Sequence, residues 1–384
     1  MHFAFAIVSL FPGGGLQRDC IDIARRVRKL GHDVIIFTSR ISETGFIKDL
    51  PVRVLHVGPT TNHGRQRRFS DEFRKAASNN FDLLVGFDKL AGLDVLYCSD
   101  RSMYARTSSN PLLRLLPRYW EFIRLEKECF APNKATKILL LSESQLNEYW
   151  SWWMPEPKRL TLLPPTLVPK RRKPEYRTDG TRSAWREKLN LSQEDWIWLA
   201  VAVQPRTKGI DRTIKALRKF SQARLLIVGL DEDDERSAYI ARLARELGVS
   251  NQIRWLGHRE EIPELMAVAD VFVHPARYDT TGTVILEAIV NGLPVITTSA
   301  CGYAKHVGIA DSGIVIQEPF HEKVFLRALE TIRDFESSAQ WSTSGIKYGK
   351  HKSLYEGKRR ATELIVAAAL NQAEHSLPAR EAAG

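Results

Sequence analysis

The chain predicts an α/β protein: two doubly wound, Rossmann-like domains of parallel sheet facing a cleft. Three observations carry that expectation. Its 384 residues fit two domains at ~100–200 residues each. The first forty residues read strand, glycine turn, helix, strand, which is a βαβ unit and requires a parallel pair. The same alternation restarts after a proline-rich basic stretch at Pro164–Arg182.

Taken in order, Phe3–Val8 is an apolar strand and Gly13-Gly14-Gly15 a tight turn. Leu16–Leu30 carries apolar residues at Leu16, Cys20, Ile23, Ala24, Val27 and Leu30, which is helical spacing. Gly31 suits the position just past a helix end, and Asp33–Thr38 returns as a buried strand. Short apolar runs follow at Val52–Val57, Leu83–Phe87, Val95–Cys98 and Lys137–Leu141. Pro164–Arg182 then reads as an interdomain linker. Beyond it, strands are predicted at Trp196–Val203, Ala223–Gly229, Ile253–Gly257, Val271–His274 and Pro294–Thr298. Helices are predicted at Asp211–Ser221, Ser237–Leu247, Ile262–Ala269 and Gly282–Asn291. A last amphipathic helix spans Ser353–Gln372, with a frayed tail after it. In open sheets of this kind ligands sit at the carboxyl ends of the strands, so the cleft is the default site.

Composition narrows the function classes. An apolar fraction of 43% with 26% charged residues supports a sizeable core and argues against wholesale disorder. No apolar run approaches the ~18 residues of a spanning helix. The apolar start MHFAFAIVSLF lacks a basic leader and a cleavage site, so it reads as a strand and the expected location is cytoplasmic. Cys20, Cys98, Cys129 and Cys301 are scattered, which disfavours a disulfide framework or a structural zinc site. The net charge of +11 points to a polyanionic partner: nucleic acid, an anionic lipid surface or a phosphorylated substrate.

Three clusters carry chemistry. Gly14 and Gly15 open a helix directly after the first strand, where a backbone approaches a ligand closely and helix N–H groups meet an anion. The spacing is neither GxGxxG nor GxxxxGK[ST], which disfavours a dinucleotide fold or a P-loop kinase. Arg206 and Lys208 follow a strand and precede a helix, placed to clamp a diphosphate. The third cluster runs from His274 to Ala288, with Asp279 and Glu287 eight residues apart around a glycine-opened helix start. There Thr281, Gly282, Thr283 and Val284 offer backbone N–H groups to an anion, Glu287 suits a ribose diol, and Asp279 suits sugar hydroxyls.

That third run resembles the acid-x7-Glu motif of retaining GT-B glycosyltransferases of family four. GGLQRD (14–19), TNHGR (61–65), VGFDKLAGLDV (85–95) and CGYA (301–304) are similar to the branch of that family that adds the first hexose to lipopolysaccharide core heptose. The resemblance implies a GT-B fold, with an acceptor-binding domain at 1–166 completed by helix 353–372 and a UDP-sugar domain at 167–352. It implies retaining transfer of a hexose from a UDP-hexose donor to the lipopolysaccharide inner core. Gly14 and Gly15 would approach the diphosphate, Lys208 with Arg206 would neutralise it, and the 282–284 amides would complete the anion site. Glu287 would hold the ribose and Asp279 the donor sugar, while Asp19 and Asp100 face the acceptor or the reacting carbon.

This sequence departs from the family pattern in three ways. Asp279 replaces the usual Glu, Thr280-Thr281 replaces a small apolar pair, and the basic pair is split as Arg206-Thr207-Lys208. The donor therefore stays open among glucose, galactose and an N-acetylhexosamine. Front-face chemistry needs no protein nucleophile; positioning and leaving-group stabilisation carry it. The acidic run Asp231–Glu235 reads as a polar helix start, and no essential metal or other cofactor is expected. Residues 101–128 interleave Arg106, Arg114, Arg118 and Arg124 with Leu112, Leu115, Trp120 and Phe122, the pattern of an interfacial helix on the anionic inner face of the inner membrane. Tyr149–Trp153 and Lys170–Lys173 add to that pattern. Nucleic acid is not an expected partner, since the basic residues are dispersed and no binding module is present. The competing readings are a sugar-nucleotide epimerase or hydrolase on the same fold, and a non-catalytic nucleic-acid- or sugar-binding protein.

Overall fold

In the computed structural model, residues 1–376 are described except Glu43, Thr44, Pro59, Asn79 and Ser109. The chain divides into two units, one of Met1–Pro164 with the stretch from Glu356 onward, the other of Pro165–Tyr355.

In the first unit the strands are β1 (His2–Ala6), β2 (Ser9–Leu10), β3 (Asp33–Thr38), β4 (Arg40–Ile41), β5 (Val52–Val54), β6 (Leu83–Gly86), β7 (Val95–Cys98), β8 (Lys137–Leu140) and β9 (Leu160–Leu162). Seven form one parallel sheet in the order β5-β3-β1-β6-β7-β8-β9, and β2 pairs with β4 apart from it. Alternation along β1 decides its faces: Phe3 and Phe5 pack on one core and Ala4 and Ala6 on the other. Helix α1 (Gly15–Lys29) lies on the first face, while α2 (Asn62–Ala77) buries Phe69 and Phe73 on the second. Helices α3 (Met103–Thr107), α4 (Pro117–Phe130) and α5 (Glu143–Trp153) complete the crossovers.

The second unit opens with α6 (Thr181–Lys188) and holds strands β10 (Trp196–Val201), β11 (Ala223–Val228), β12 (Ile253–Trp255), β13 (Val271–His274), β14 (Val295–Thr298) and β15 (Gly313–Ile316). Their order is β12-β11-β10-β13-β14-β15, again all parallel. The helices between them are α7 (Ile210–Leu217), α8 (Ala238–Glu246), α9 (Ile262–Val268), α10 (Thr283–Val290), α11 (Lys305–Ile309), α12 (Glu322–Ile332) and α13 (Phe335–Tyr348). Trp198 faces the α7 side and Leu199 the α10 side, so β10 is buried on both faces, as a central parallel strand must be. The chain then crosses back as α14 (Gly357–Ser376), whose Ala361, Ile365 and Ala368 pack on the core beside α1.

The units divide between Pro164 and Pro165, at the start of the stretch expected to link them. Within that stretch the arginines cap the C-terminal carbonyls of α9. Arg177 donates to the Met266 and Ala269 carbonyls, and Arg182 to those of Ala267, Val268 and Ala269. Burial lowers the Arg177 pKa to about 10. The interfacial helix expected over 101–128 is broken into α3, a 3-10 turn at Pro111–Leu115, and α4, because Pro111 and Pro117 each start a new helical segment. The last helix begins at Gly357 rather than Ser353, since Lys352–Tyr355 forms a 3-10 turn.

Candidate functional site

Each sheet reverses its strand order once: between β1 and β6 in the first unit, and between β10 and β13 in the second. The loops leaving those strands are where open α/β sheets take ligands.

In the second unit the loop after β10 carries Arg206 and Lys208, and the loop after β13 carries Arg277 and Asp279. Lys208 Nζ lies 2.5 Å from Asp279 Oδ2, and His274 Nε2 lies 3.0 Å from the same oxygen. Burial alone would raise the Asp279 carboxyl, but the hydrogen bond from His274 and the charge of Lys208 hold it well below the usual carboxylate range. Burial likewise disfavours charge on His274, yet its hydrogen bonds with Asp279 and Cys301 bring its pKa to about 9. At neutral pH His274 is therefore an imidazolium and Asp279 a carboxylate.

The loop is anchored from its far side. Arg277 grips Asp211 with two parallel bonds of 2.7 Å and donates to the Arg206 carbonyl at 2.7 Å, which fixes the backbone while the Arg206 side chain stays exposed. Gly209 is obligatory at the helix mouth: its φ is +73°, and a Cβ there would collide with the Pro275 carbonyl. Gly282, at φ +75°, caps α10, and no side chain among the described residues caps that end. The first-turn N–H groups of Thr283 and Val284 are thus left to an external acceptor. Thr281 and Thr283 bring their hydroxyls within 3.4 Å of each other, and Glu287 sits half-buried one turn on. Asp279 itself is pinned by backbone bonds to Ala300 and Gly302 in the Cys301 loop.

In the first unit Gly14 caps α1 and Gly15 begins it. Asp19, expected at the reacting carbon or acceptor, is bound by its own unit: it accepts from Tyr97 Oη at 2.9 Å and pairs with Lys358 Nζ at 3.0 Å. Lys358 also reaches Asp22 at 2.6 Å, so this acid fastens α14 onto α1. Asp100 is exposed after β7, its carbonyl accepting from Gln145 and Tyr149. Sequence reading passed over Asp88, which follows β6 and accepts from Val8 N at 2.6 Å, bridging the two loops at the reversal. Burial and the charge of Asp100 raise its pKa to about 7. The signal was available: Asp88 stands at a strand end inside VGFDKLAGLDV. Arg277 and Asp211 lie inside the clusters but were given no role, because theirs rests on a contact across the strand-order reversal, and His274 was given none although it stands only five residues before Asp279.

The 103–130 region surrounds a buried carboxylate. Glu126 accepts from Lys89 Nζ, Ser102 Oγ, Met103 N and Trp153 Nε1 at 2.8–3.0 Å. In the same stretch Leu112, Leu115 and Trp120 stand 72%, 78% and 61% exposed. Among the described residues no helix is long and apolar enough to cross a membrane.

This arrangement has known counterparts. Residues 181–348 match the family model for glycosyl transferases group 1. The lipopolysaccharide glucosyltransferase WaaG of Escherichia coli K12 is 32% identical, over 95% of this chain and 98% of its own. The chain belongs to the WaaG family of group 1 glycosyl transferases. A WaaG crystal structure superposes with a TM-score of 0.87 at 31% identity, covering 94% of this chain and 99% of that one. Anabaena HepE in complex with UDP and glucose superposes at 0.72 and 18% identity, covering 94% and 98%, and shares the fold. The two sheets are thus the paired Rossmann-like halves of a WaaG-type, GT-B glycosyltransferase.

Proposed function

We propose that this protein transfers a hexose from a UDP-hexose to inner-core heptose during lipopolysaccharide core biosynthesis, with retention at the anomeric carbon. The observation that carries the reading is the likeness to WaaG along 95% of the chain. Lys208 holds Asp279 with one of its three donors, so the others face a diphosphate, and Arg206 adds charge from the same loop. The 282–284 amides donate to phosphate oxygen, and the Glu287 carboxylate accepts from the ribose diol. Asp279, kept ionised, only accepts hydrogen bonds, which suits donor-sugar hydroxyls.

In the reaction the bond between C1 and the phosphate oxygen breaks and the acceptor oxygen bonds C1 on the same face. The acceptor proton passes to the departing phosphate oxygen. Catalysis is then positioning and charge neutralisation. This reading gives neutralisation of the diphosphate to Lys208 and Arg206 and routes no step through a metal. The exposed Leu112, Leu115 and Trp120 beside Arg114 and Arg118 hold the enzyme as a peripheral protein on the anionic inner face of the inner membrane.

The deciding experiment incubates the protein with a panel of UDP-hexoses and core lipid truncated at heptose, and follows UDP. Acceptor-dependent release with one donor is expected and names the sugar. Release without acceptor overturns the transferase reading in favour of hydrolysis or epimerisation, and no release with any donor overturns it outright.

A further inference from the structure

A cavity of about 240 Å³ opens in the first unit between α2, the loop after β7, α3 and α4; Gln66, Lys89, Asp100, Arg101, Arg106 and Phe122 line it. Two of its three cations are paired with fixed acids, Lys89 with buried Glu126 at 3.0 Å and Arg101 with Glu148 at 2.9 Å, and the lining carboxylate of Asp100 offsets the charge of Arg106. Gln66 is anchored by its amide on the Lys89 carbonyl at 3.2 Å. The cavity therefore offers donors and acceptors held in place, an aromatic wall and little net charge. A bare anion gains little there, whereas a polyhydroxylated ring meets both kinds of partner and lays its apolar face on Phe122.

A second space of about 80 Å³ adjoins it, sharing Met103, Arg106 and Phe122 and adding Leu113 and Tyr119. Leu113 lies in the 3-10 turn that also carries the exposed Leu112 and Leu115. Polar cavity, apolar cavity and exposed apolar turn thus follow one another from Asp100 outward.

We infer that the polar cavity seats one pyranose ring of the acceptor saccharide, with the acceptor's lipid-bearing part running over the apolar cavity to the exposed 111–116 turn. This rests on the glycolipid-acceptor reading above and adds where and how the saccharide is held. Asp100 and Arg106 bond ring hydroxyls, and Glu126 acts as a positioning residue by keeping Lys89 and Met103 at the cavity floor.

The test measures KM for heptose-terminated core lipid in Gln66→Ala and Phe122→Leu. Neither removes a cation, so binding to vesicles of phosphatidylglycerol and phosphatidylethanolamine is measured in parallel. The expected result is an acceptor KM raised about tenfold in each variant, with vesicle binding retained. An unchanged acceptor KM in both variants overturns the pocket and leaves the transferase reading standing. A rise in KM matched by loss of vesicle binding assigns the effect to membrane attachment and also overturns the pocket. Failure of the wild-type protein to transfer to this acceptor overturns the glycolipid reading, and the pocket with it.

Discussion

Lys208 and Asp279 meet at 2.5 Å although they stand 71 residues apart, because the strands that launch their loops, β10 and β13, are neighbours where the sheet reverses its order. The pair presets a positive charge at the mouth of α7 and a permanent hydrogen-bond acceptor facing α10. If this is the donor site, Lys208→Ala weakens UDP binding by roughly tenfold or more, about 1.5–3 kcal/mol for a lost charge-assisted bond. Glu287→Ala weakens it comparably. Calorimetric titration with UDP checks both, and unaltered affinity removes the residue concerned from the site.

His274 provides a titration with a defined sign. Its folded pKa of about 9 lies above the ordinary 6.5. Its contribution to stability is therefore complete below pH 6.5 and lost as pH rises through about 9. NMR of the His274 ring should show that high midpoint in the wild type. In Asp279→Asn the main hydrogen-bonding partner loses its charge while burial remains, so the midpoint falls. A midpoint unmoved by the substitution would falsify the pairing.

Asp88 behaves in the opposite sense. Its carboxyl is raised from 3.8 to about 7, so the folded state holds a proton that the unfolded chain releases between those values, and stability declines as pH climbs through that window. Asp88→Asn keeps an oxygen for Val8 N and abolishes the titration. It should match the wild type at pH 4 and exceed it by about 1–2 kcal/mol at pH 8, a figure kept below the full linkage because the side chain is only half-buried. Urea midpoints at the two pH values decide this.

Arg159 is a pure stability residue. It is 6% exposed and donates to the carbonyls of Cys129, Phe130, Ala131 and Thr136 while pairing with Glu156. Arg159→Ala orphans several buried acceptors at the end of α4 and should cost about 3–5 kcal/mol. Chemical denaturation reads the loss, and a change under 1 kcal/mol contradicts the assignment.

Attachment to lipid depends on the apolar turn as well as on charge. Leu115→Ser with Trp120→Ala should lower binding to anionic vesicles by about tenfold or more, since both side chains are largely exposed in the protein alone. Sedimentation with phosphatidylglycerol vesicles measures it; undiminished binding places the contact elsewhere.

The strands whose side chains are apolar on both faces, Phe3–Ala6, Leu225–Val228 and Val271–His274, were legible because a central parallel strand announces itself as a continuous apolar run. The shorter edge strands β9 and β15 and the helix α13 were not, since their burial is partial or their pattern weak, and α12 was passed over although Phe325, Leu329 and Ile332 recur at helical spacing.

Local sequence also determined the glycine-opened helix starts at Gly14, Gly209 and Gly282, because positive φ or a close approach is a property of a few neighbouring residues. The candidate residues in such segments, Lys208, Asp279 and Glu287, were therefore picked out by their place beside those helix starts. What those residues touch was decided only by the tertiary structure. Sheet order brings Lys208 to Asp279 and Asp88 to Val8, and the returning α14 claims Asp19 for Lys358. A carboxylate's role depends on the charges and burial within a few ångströms, and those neighbours come from strands and helices distant in the chain.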